Sequence, residues 1–246
     1  MTRHLVHHVV SGVLTVLVLA TSPSQAALTP AFYSAKEIRA TVVDAETGRP
    51  IDRAVVVAVW QLETVSGEGP RLQVTEAVTD ANGQFFVPGW GPKPRPPLTE
   101  FANKSPYLVV FKSGYVPVRL HNAPKSQFAE LRSKTALRAS EISYRAGVEG
   151  DPHDPIQDCL WDGMTIRIEP FRGTPEEWFR EIDVTSNEVL WQDARYAPSF
   201  YEALAAEREY FINHPLDSKA VTEGRFNAVF GRIGDRLQAV RKRSWE

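Results

Sequence analysis

The chain has 246 residues, of which 43% are hydrophobic and 24% are charged, and its formal net charge is -2. These values are typical of a globular chain with one sizeable core or two small ones, and they exclude disorder, collagen and coiled coil for the chain as a whole. The near balance of charge offers no basic surface to a nucleic-acid backbone, so we expect no nucleic-acid partner.

The first 26 residues have the organisation of a targeting segment. Arg3 supplies a positive charge, residues 9–20 are apolar, and Ser24 and Ala26 are the small residues of a cleavage site. We therefore predict a signal peptide over 1–26, cleaved near Ala26, and a periplasmic or secreted protein. The alternative is a retained anchor, but the apolar stretch is shorter than the ~20 residues that span a bilayer, so we expect no stable membrane anchor after cleavage.

The cysteine content limits how the fold is held together. Cys159 is the only cysteine, so no intramolecular disulfide can form. An exported chain of this size without disulfides depends on packing for its stability.

Residues 36–170 alternate short apolar stretches with turn residues. Positions 38–42 are apolar at every second residue, positions 54–62 form an almost unbroken apolar run, and residues 80–83 (Asp-Ala-Asn-Gly) are typical of a tight hairpin turn. Further strands are predicted at 72–79, 84–87, 107–111, 116–118 and 164–168. Seven short strands with frequent turns predict an antiparallel β-sandwich.

Two segments do not fit strands. Residues 89–97 form a proline-rich loop, which we expect to be stiff and to leave the sheet because proline cannot donate to a sheet ladder. Residues 121–161 form a long link, which is either a functional insertion or a poorly ordered segment.

The C-terminal segment, 174–246, has helical periodicity. Thr174, Pro175 and Glu177 make a capping box with proline at the first helical position. Apolar residues at 226–240 recur at helical spacing. The sequence thus predicts a mainly β fold with two or three α-helices, the helical segment packing on the sandwich.

Four short motifs carry a resemblance to a known family. They are Val43 to Ile51, Ala54 to Val57, Val78 to Phe85, and Gly114-Tyr115. In this order they resemble the carboxypeptidase regulatory-like domain, and the domain would span 36–173. The resemblance implies a seven-strand transthyretin-like sandwich, found attached to enzymes or alone in secreted proteins, without catalytic residues of its own.

Two relatives of that sandwich are enzymes, and their features can be sought here. A hydroxyisourate hydrolase ends in Tyr-Arg-Gly-Ser, whereas this chain ends in Arg-Ser-Trp-Glu. An iron dioxygenase needs two tyrosines and two histidines, whereas the mature chain has only His121, His153 and His214, which are far apart in sequence. We therefore expect no cofactor.

Residues 151–159 form the densest polar cluster of the sequence. Within it, His153, Asp154, Asp158 and Cys159 are candidate metal ligands, because imidazole, carboxylate and thiolate are the usual donors to transition metals. The spacing matches no zinc pattern, so an acidic surface loop with a buried Cys159 is the favoured alternative.

The proline-rich loop supplies the candidate ligand site. Trp90, Lys93 and Arg95 combine an aromatic face and two positive charges on a stiff backbone, which suits a carbohydrate or protein ligand. The alternative is that Trp90 closes one end of the sandwich. We predict a non-catalytic exported binding or assembly module, and the alternative is a metal-binding protein or enzyme that uses the 151–159 loop.

Overall fold

The computed structural model describes residues 30–102, 105–122, 156–189, 191–217 and 219–243. The predicted leader and the candidate ligands His153 and Asp154 lie outside these residues. The described chain is mainly β with three α-helices, and its sheets do not close into a barrel. Within these ranges, none of the helices combines the length and apolar character that crossing a bilayer requires.

The described ranges contain eleven strands, three α-helices and one 3₁₀ helix. The strands are β1 (Phe32–Ala35), β2 (Ile38–Asp44), β3 (Val55–Thr64), β4 (Gly67–Val78), β5 (Gln84–Val87), β6 (Trp90–Pro94), β7 (Thr99–Phe101), β8 (Tyr107–Phe111), β9 (Val118–Leu120), β10 (Ile156–Gln157) and β11 (Thr165–Ile168). The helices are α1 (Pro175–Ser186), the 3₁₀ helix (Trp191–Tyr196), α2 (Pro198–Asn213) and α3 (Glu223–Arg243).

The strands form one five-stranded sheet and two three-stranded sheets. The large sheet has the order β4-β3-β8-β9, with β7 paired to the end of β3, and all its pairs are antiparallel. The small sheets have the orders β10-β1-β6 and β11-β2-β5. Because β10–β1 and β11–β2 are parallel pairs, the expectation of a purely antiparallel sandwich is wrong.

Strand β3 is buried on both faces, which explains its unbroken apolar sequence. Successive side chains point to opposite faces of a strand. Val56 and Trp60 lie in a core shared with the small sheets, here called the sheet core. Val57 and Val59 lie in a second core shared with the helices, here called the helix core. The five-stranded sheet is therefore the middle layer of the described fold.

The structure contains the capping box and the apolar helix packing that the sequence of the C-terminal segment predicts. Thr174 Oγ1 accepts from the backbone N–H of Glu177, and the Glu177 carboxylate accepts from the backbone N–H of Thr174, 2.8 Å away, so the capping box is present. Aromatic residues of all three helices pack in the helix core, among them Phe179, Phe200 and Phe230. The helices thus cover one face of the middle sheet.

Four of the eleven described strands are not among the seven that the sequence predicts, so the predicted number of strands is too low. β1, β7 and β10 have between two and four residues, which is too short to display an alternation of apolar and polar positions. Their pairing depends on partners distant in sequence, which local patterning does not reveal.

The fourth unexpected strand, β6, contains the proline-rich segment. It pairs antiparallel with β1, with Lys93 opposite Tyr33. The prediction that this segment leaves the sheet is wrong. β6 is an edge strand with only one neighbouring strand, so a proline whose nitrogen faces away from that neighbour removes no hydrogen bond from the sheet. Gly91 adopts φ 116 and lies against Ser34, where any Cβ would collide with the backbone of β1.

The two ends of the long link are joined by one buried side chain. Asn122 is 7% exposed, and its Nδ2 donates to the backbone oxygens of Ser105 (3.0 Å) and Asp158 (2.8 Å). Its Oδ1 accepts from the backbone N–H of Leu160 at 2.7 Å. The link therefore departs and returns at one place, and its residues 123–155 lie outside the described chain.

Candidate functional site

The structure brings Trp90 and Lys93 together but packs both against the fold. Trp90 is half-buried and meets Trp60 edge-on, with ring centroids 5.5 Å apart. Lys93 Nζ lies 5.6 Å from the Trp90 ring centroid and 2.5 Å from the Gln73 Oε1 that accepts its hydrogen bond. The aromatic ring thus has a structural partner, and its role in ligand binding stays a prediction.

Arg95 is directed elsewhere. Its Nε donates to the backbone oxygen of Pro30 at 2.8 Å, and its Nη1 donates to that of Thr99 at 2.6 Å. These bonds tie the segment after β6 to the chain before β1 and to β7.

The described part of the 151–159 loop does not form a cluster of ligands. Asp158 pairs with Lys36 at 3.0 Å, and Cys159 is 5% exposed within the sheet core. Among the described residues there is no group of three or more His, Cys, Asp or Glu side chains that could hold a metal ion.

A set of two tyrosines and two histidines is not assembled within the described chain either. His121 lies beside Tyr107, with ring centroids 6.3 Å apart, and His214 stacks on Tyr210 at 4.2 Å. Tyr107 begins β8, whereas Tyr210 lines a cleft with Phe111 at the other end of that strand. The two ends are about 13 Å apart, so the two pairs do not share one ion.

The polar residues around Tyr107 connect the large sheet to the segment that follows α1. The Tyr107 hydroxyl donates to the backbone oxygen of Glu188 at 3.3 Å, and Arg71 Nη2 donates to the same oxygen at 2.9 Å. Arg119 pairs with the Glu188 carboxylate at 2.9 Å and stacks over the Tyr107 ring. Burial raises the pKa of Tyr107, which keeps its hydroxyl a donor. This cluster fastens the end of α1 to the sheet.

A cleft of about 580 Å³ lies between α2 and one end of the large sheet, and we call it the α2 cleft. This volume is within the range of small-molecule sites, ~300–1,000 Å³. On the sheet side it is lined by Arg53, Val55, Val78 and residues 111–113. On the helix side it is lined by Ser199, Glu202, Ala203, Ala206, Glu207, Glu209 and Tyr210.

Helix α2 places its cleft residues by simple periodicity. Residues three or four apart share one helix face, which brings Ser199, Glu202, Ala206 and Glu209 to the same wall. A carboxylate from the sheet, that of Glu76, holds the start of this helix.

Glu76 acts as the acceptor that α2 lacks at its own N-terminus. Its two oxygens accept from the backbone N–H groups of Ser199 (3.1 Å) and Phe200 (2.7 Å). Burial raises the pKa of Glu76, and these hydrogen bonds offset part of that effect. Sheet and helix are thereby fixed relative to each other at the rim of the cleft.

Glu207 is a buried carboxylate at the floor of the cleft. It is 3% exposed, and its Oε2 accepts a 2.8 Å hydrogen bond from Nε1 of Trp178. The Trp178 ring is stacked on Phe111 with centroids 6.3 Å apart, so its orientation is set by the sheet. Within the described residues the second oxygen of Glu207 has no hydrogen-bond donor, and the residue lines the α2 cleft.

The sheet side of the cleft presents two cations. Lys112 Nζ donates to the backbone oxygen of Asp52 at 2.8 Å. Arg53 is exposed, and its backbone has φ 57 in the left-handed region, where a non-glycine residue costs ~1–2 kcal/mol. Its N–H donates to the backbone oxygen of Thr79 at 3.0 Å, which fixes the turn that carries it.

Sequence analysis missed both Glu207 and Arg53. A signal for Glu207 exists, because it falls in the apolar row of α2 formed by Phe200, Leu204 and Phe211, at helical spacing from each. A carboxylate in such a row is buried and needs a partner. No local signal identifies Arg53, since its turn is held by Thr79, which follows β4 and is distant in sequence.

No protein-family model and no curated protein matches the chain. Solved structures similar to it include an intradiol ring-cleavage dioxygenase from Tetranychus urticae, at 17% identity and a TM-score of 0.31, covering 58% of this chain and 84% of that one. Hydroxyquinol 1,2-dioxygenase from Pseudomonas putida DLL-E4 has 15% identity and a TM-score of 0.28, covering 58% of both chains. Catechol 1,2-dioxygenase from Acinetobacter sp. ADP1 has 16% identity and a TM-score of 0.27, covering 61% of this chain and 55% of that one.

These findings correct two expectations. The resemblance to the carboxypeptidase regulatory-like domain, with its transthyretin-like fold, is wrong, because the similar solved structures belong to a different family and no family model supports it. The expectation of a non-catalytic binding or assembly module is wrong as well, because those structures are enzymes. At TM-scores near 0.3 they transfer neither substrate nor mechanism to this chain.

Proposed function

We propose that the chain is an enzyme that acts on a small molecule bound in the α2 cleft, with Glu207 as the group that accepts or donates a proton. The observation that carries this proposal is a carboxylate only 3% exposed at the floor of a cleft of about 580 Å³. A buried charged group in a cleft is a candidate functional residue, since its burial costs free energy that packing alone does not require.

The surroundings of Glu207 suit general acid–base chemistry. Trp178 holds one oxygen through its indole N–H, which leaves the other oxygen to a bound molecule. Apolar side chains of Val55, Phe111 and Ala206 line the same cleft and lower the local dielectric constant. A positioned carboxylate of this kind contributes ~10²–10⁴-fold to a reaction rate.

The expectations on export and organisation enter the same proposal. Cleavage near Ala26 would place the mature enzyme in the periplasm or outside the cell. The proposal keeps the predicted organisation, with the small sheets and the large one as a β-sandwich-like arrangement and the helical segment, described over 174–189, 191–217 and 219–243, as the layer on the other face of the large sheet. That packing supplies the second wall of the cleft.

The proposal is tested by following the consumption of small molecules. The purified mature chain, Glu207→Gln and the surface control Glu223→Gln are each incubated with a metabolite extract, and mass spectrometry follows each compound. We expect wild type and control to deplete at least one compound at equal rates, and Glu207→Gln to do so ~10²-fold or more slowly. Equal rates for all three proteins, or no depletion by wild type, would contradict the proposal.

A further inference from the structure

The charges of the α2 cleft are sorted by wall. The cations Arg53 and Lys112 stand on the sheet side, and the carboxylates of Glu202, Glu207 and Glu209 stand on the helix side. Within the described part of the chain, no ion pair or hydrogen bond joins either cation to any of these carboxylates. Opposite charges thus face each other across the cleft without meeting.

Such an arrangement selects for a ligand that carries both charges. A singly charged molecule meets a wall of its own sign, whereas a zwitterion presents each of its charged groups to a wall of the opposite sign. Charge-assisted hydrogen bonds to both groups are stronger than neutral ones. Between the charges, Val55, Phe111 and Ala203 offer an apolar surface to the body of the ligand.

The backbone of Arg53 supports a role for its side chain. Glycine adopts φ 57 without steric cost, whereas arginine does so only with strain. Within the described residues the guanidinium group makes no hydrogen bond or ion pair that would offset this strain. Strain of this kind is concentrated at functional sites. A long cation at a position that favours glycine is therefore a candidate ligand-binding group.

We infer that the α2 cleft binds a zwitterionic small molecule of the amino-acid type, with its carboxylate toward Arg53 and Lys112 and its ammonium group toward Glu202 and Glu209. The inference rests on the proposed function, because it names the substrate class of the same site. It is nevertheless tested by binding alone, without any turnover.

Three probes separate the two charges. L-Phenylalanine, 3-phenylpropionate and phenethylamine share a ring and a short chain, but the second lacks the ammonium group and the third lacks the carboxylate. Calorimetry with the mature chain should show that L-phenylalanine binds about tenfold or more tightly than either analogue, because each charged contact contributes that much.

Variants assign each charge to its wall. Arg53→Gly should weaken L-phenylalanine about tenfold and leave phenethylamine unchanged, whereas Glu202→Gln should weaken both of these and leave 3-phenylpropionate unchanged. The melting temperature of Arg53→Gly should equal or exceed that of wild type, since glycine relieves the left-handed strain, so unfolding does not explain the lost affinity. Arg180→Ala, on the exposed face of α1, is the control and should change no affinity.

Each other outcome overturns the inference: equal binding of the three probes, no saturable binding of L-phenylalanine, or unchanged affinity in Arg53→Gly. The fate of the proposed function is separate. If a compound is consumed in a Glu207-dependent manner while L-phenylalanine fails to bind, the enzyme proposal stands and the zwitterion inference falls. If L-phenylalanine binds with the expected variant pattern and nothing is consumed, the zwitterion inference stands and the enzyme proposal falls.

Discussion

The indole N–H of Trp178 lies 2.8 Å from Oε2 of Glu207 and joins α1 to α2 inside the helix core. The same tryptophan ring packs on Phe171, with centroids 4.8 Å apart, and on Phe111 of the sheet. One side chain thus orients a buried carboxylate and connects three elements.

Trp178→Phe removes this donor and keeps most of the aromatic packing. We expect the free energy of unfolding to fall by ~1–3 kcal/mol, because a buried acceptor loses its partner. Urea denaturation measures the change. In a Glu207→Leu background the same substitution should cost clearly less, and purely additive costs would show that the hydrogen bond contributes nothing.

Glu76 should give the fold a dependence on pH. Burial raises its pKa above the ordinary value of 4.5, so the folded chain binds this proton more tightly than the unfolded chain does. Its contribution to stability is present below that ordinary value and is lost as pH rises through the raised pKa.

We therefore compare wild type with Glu76→Gln, which never ionises. As pH rises above 4.5 and through the raised pKa of Glu76, the free energy of unfolding of wild type should fall relative to that of the variant. Denaturation curves at several pH values measure this difference. Glu223→Gln, at an exposed site, is the control. A difference that grows with pH in favour of wild type would contradict the prediction.

Asp44 should give the stability of the fold a pH dependence opposite to that from Glu76. The backbone N–H of Thr47 donates to it at 2.7 Å, the Tyr115 hydroxyl donates at 3.0 Å, and these bonds hold the pKa of Asp44 below 3.8. Its stabilising effect is present above 3.8 and is lost as pH falls through the lowered pKa.

Asp44→Asn should therefore be less stable than wild type at neutral pH, and the gap should narrow under acid. Thermal unfolding at a series of pH values follows the gap. Tyr115→Phe, which removes only one of the donors, should reproduce part of the loss. A gap that is constant with pH would show that the charge of Asp44 is not involved.

The helices should be integral to the fold rather than a separable unit. Phe179 is 0% exposed in the helix core, so Phe179→Ala should cost ~3–5 kcal/mol of unfolding free energy. Phe32, which is 55% exposed on β1, provides a matched control whose replacement by alanine should cost far less. If both variants melt like wild type, the helix core does not stabilise the chain.

Trp90→Ala distinguishes the two interpretations of the proline-rich segment. If the ring mainly packs on Trp60, its removal should cost ~3 kcal/mol or more in a denaturation experiment. Lys93→Ala should cost only ~1 kcal/mol, because it removes one hydrogen bond. A Trp90→Ala variant as stable as wild type would instead favour a ring that serves a ligand.

The parts of the fold that can be predicted from the sequence are those that depend on interactions between residues close together in the chain. The apolar run of β3 and the capping box at Thr174 follow from periodicity and from side-chain to backbone hydrogen bonding, and both are present. The parallel pairing of β11 with β2 and the strand at Trp90–Pro94 depend on which distant segment lies alongside, and no local pattern encodes that.

The candidate site was less predictable than the fold. Glu207 has a signal in the sequence, because it is a charged residue within an apolar helical row. The backbone N–H of Arg53 bonds to Thr79, a residue of a neighbouring segment, so the turn that holds its unusual φ exists only in the folded chain. Of the candidate residues that the sequence indicates, Trp90, Lys93, Arg95, Asp158 and Cys159 make contacts within the fold, whereas His153 and Asp154 lie outside the described residues.

Asn122 lies at the junction between two parts of the chain, one before and one after the long link. The part before the long link supplies β1 to β9, and the part after it supplies β10, β11 and the helices. Those parts meet along the pairs β10–β1 and β11–β2 and through the helix core, and Asn122 closes the junction. We therefore expect the two parts, produced as separate polypeptides, to associate by fragment complementation.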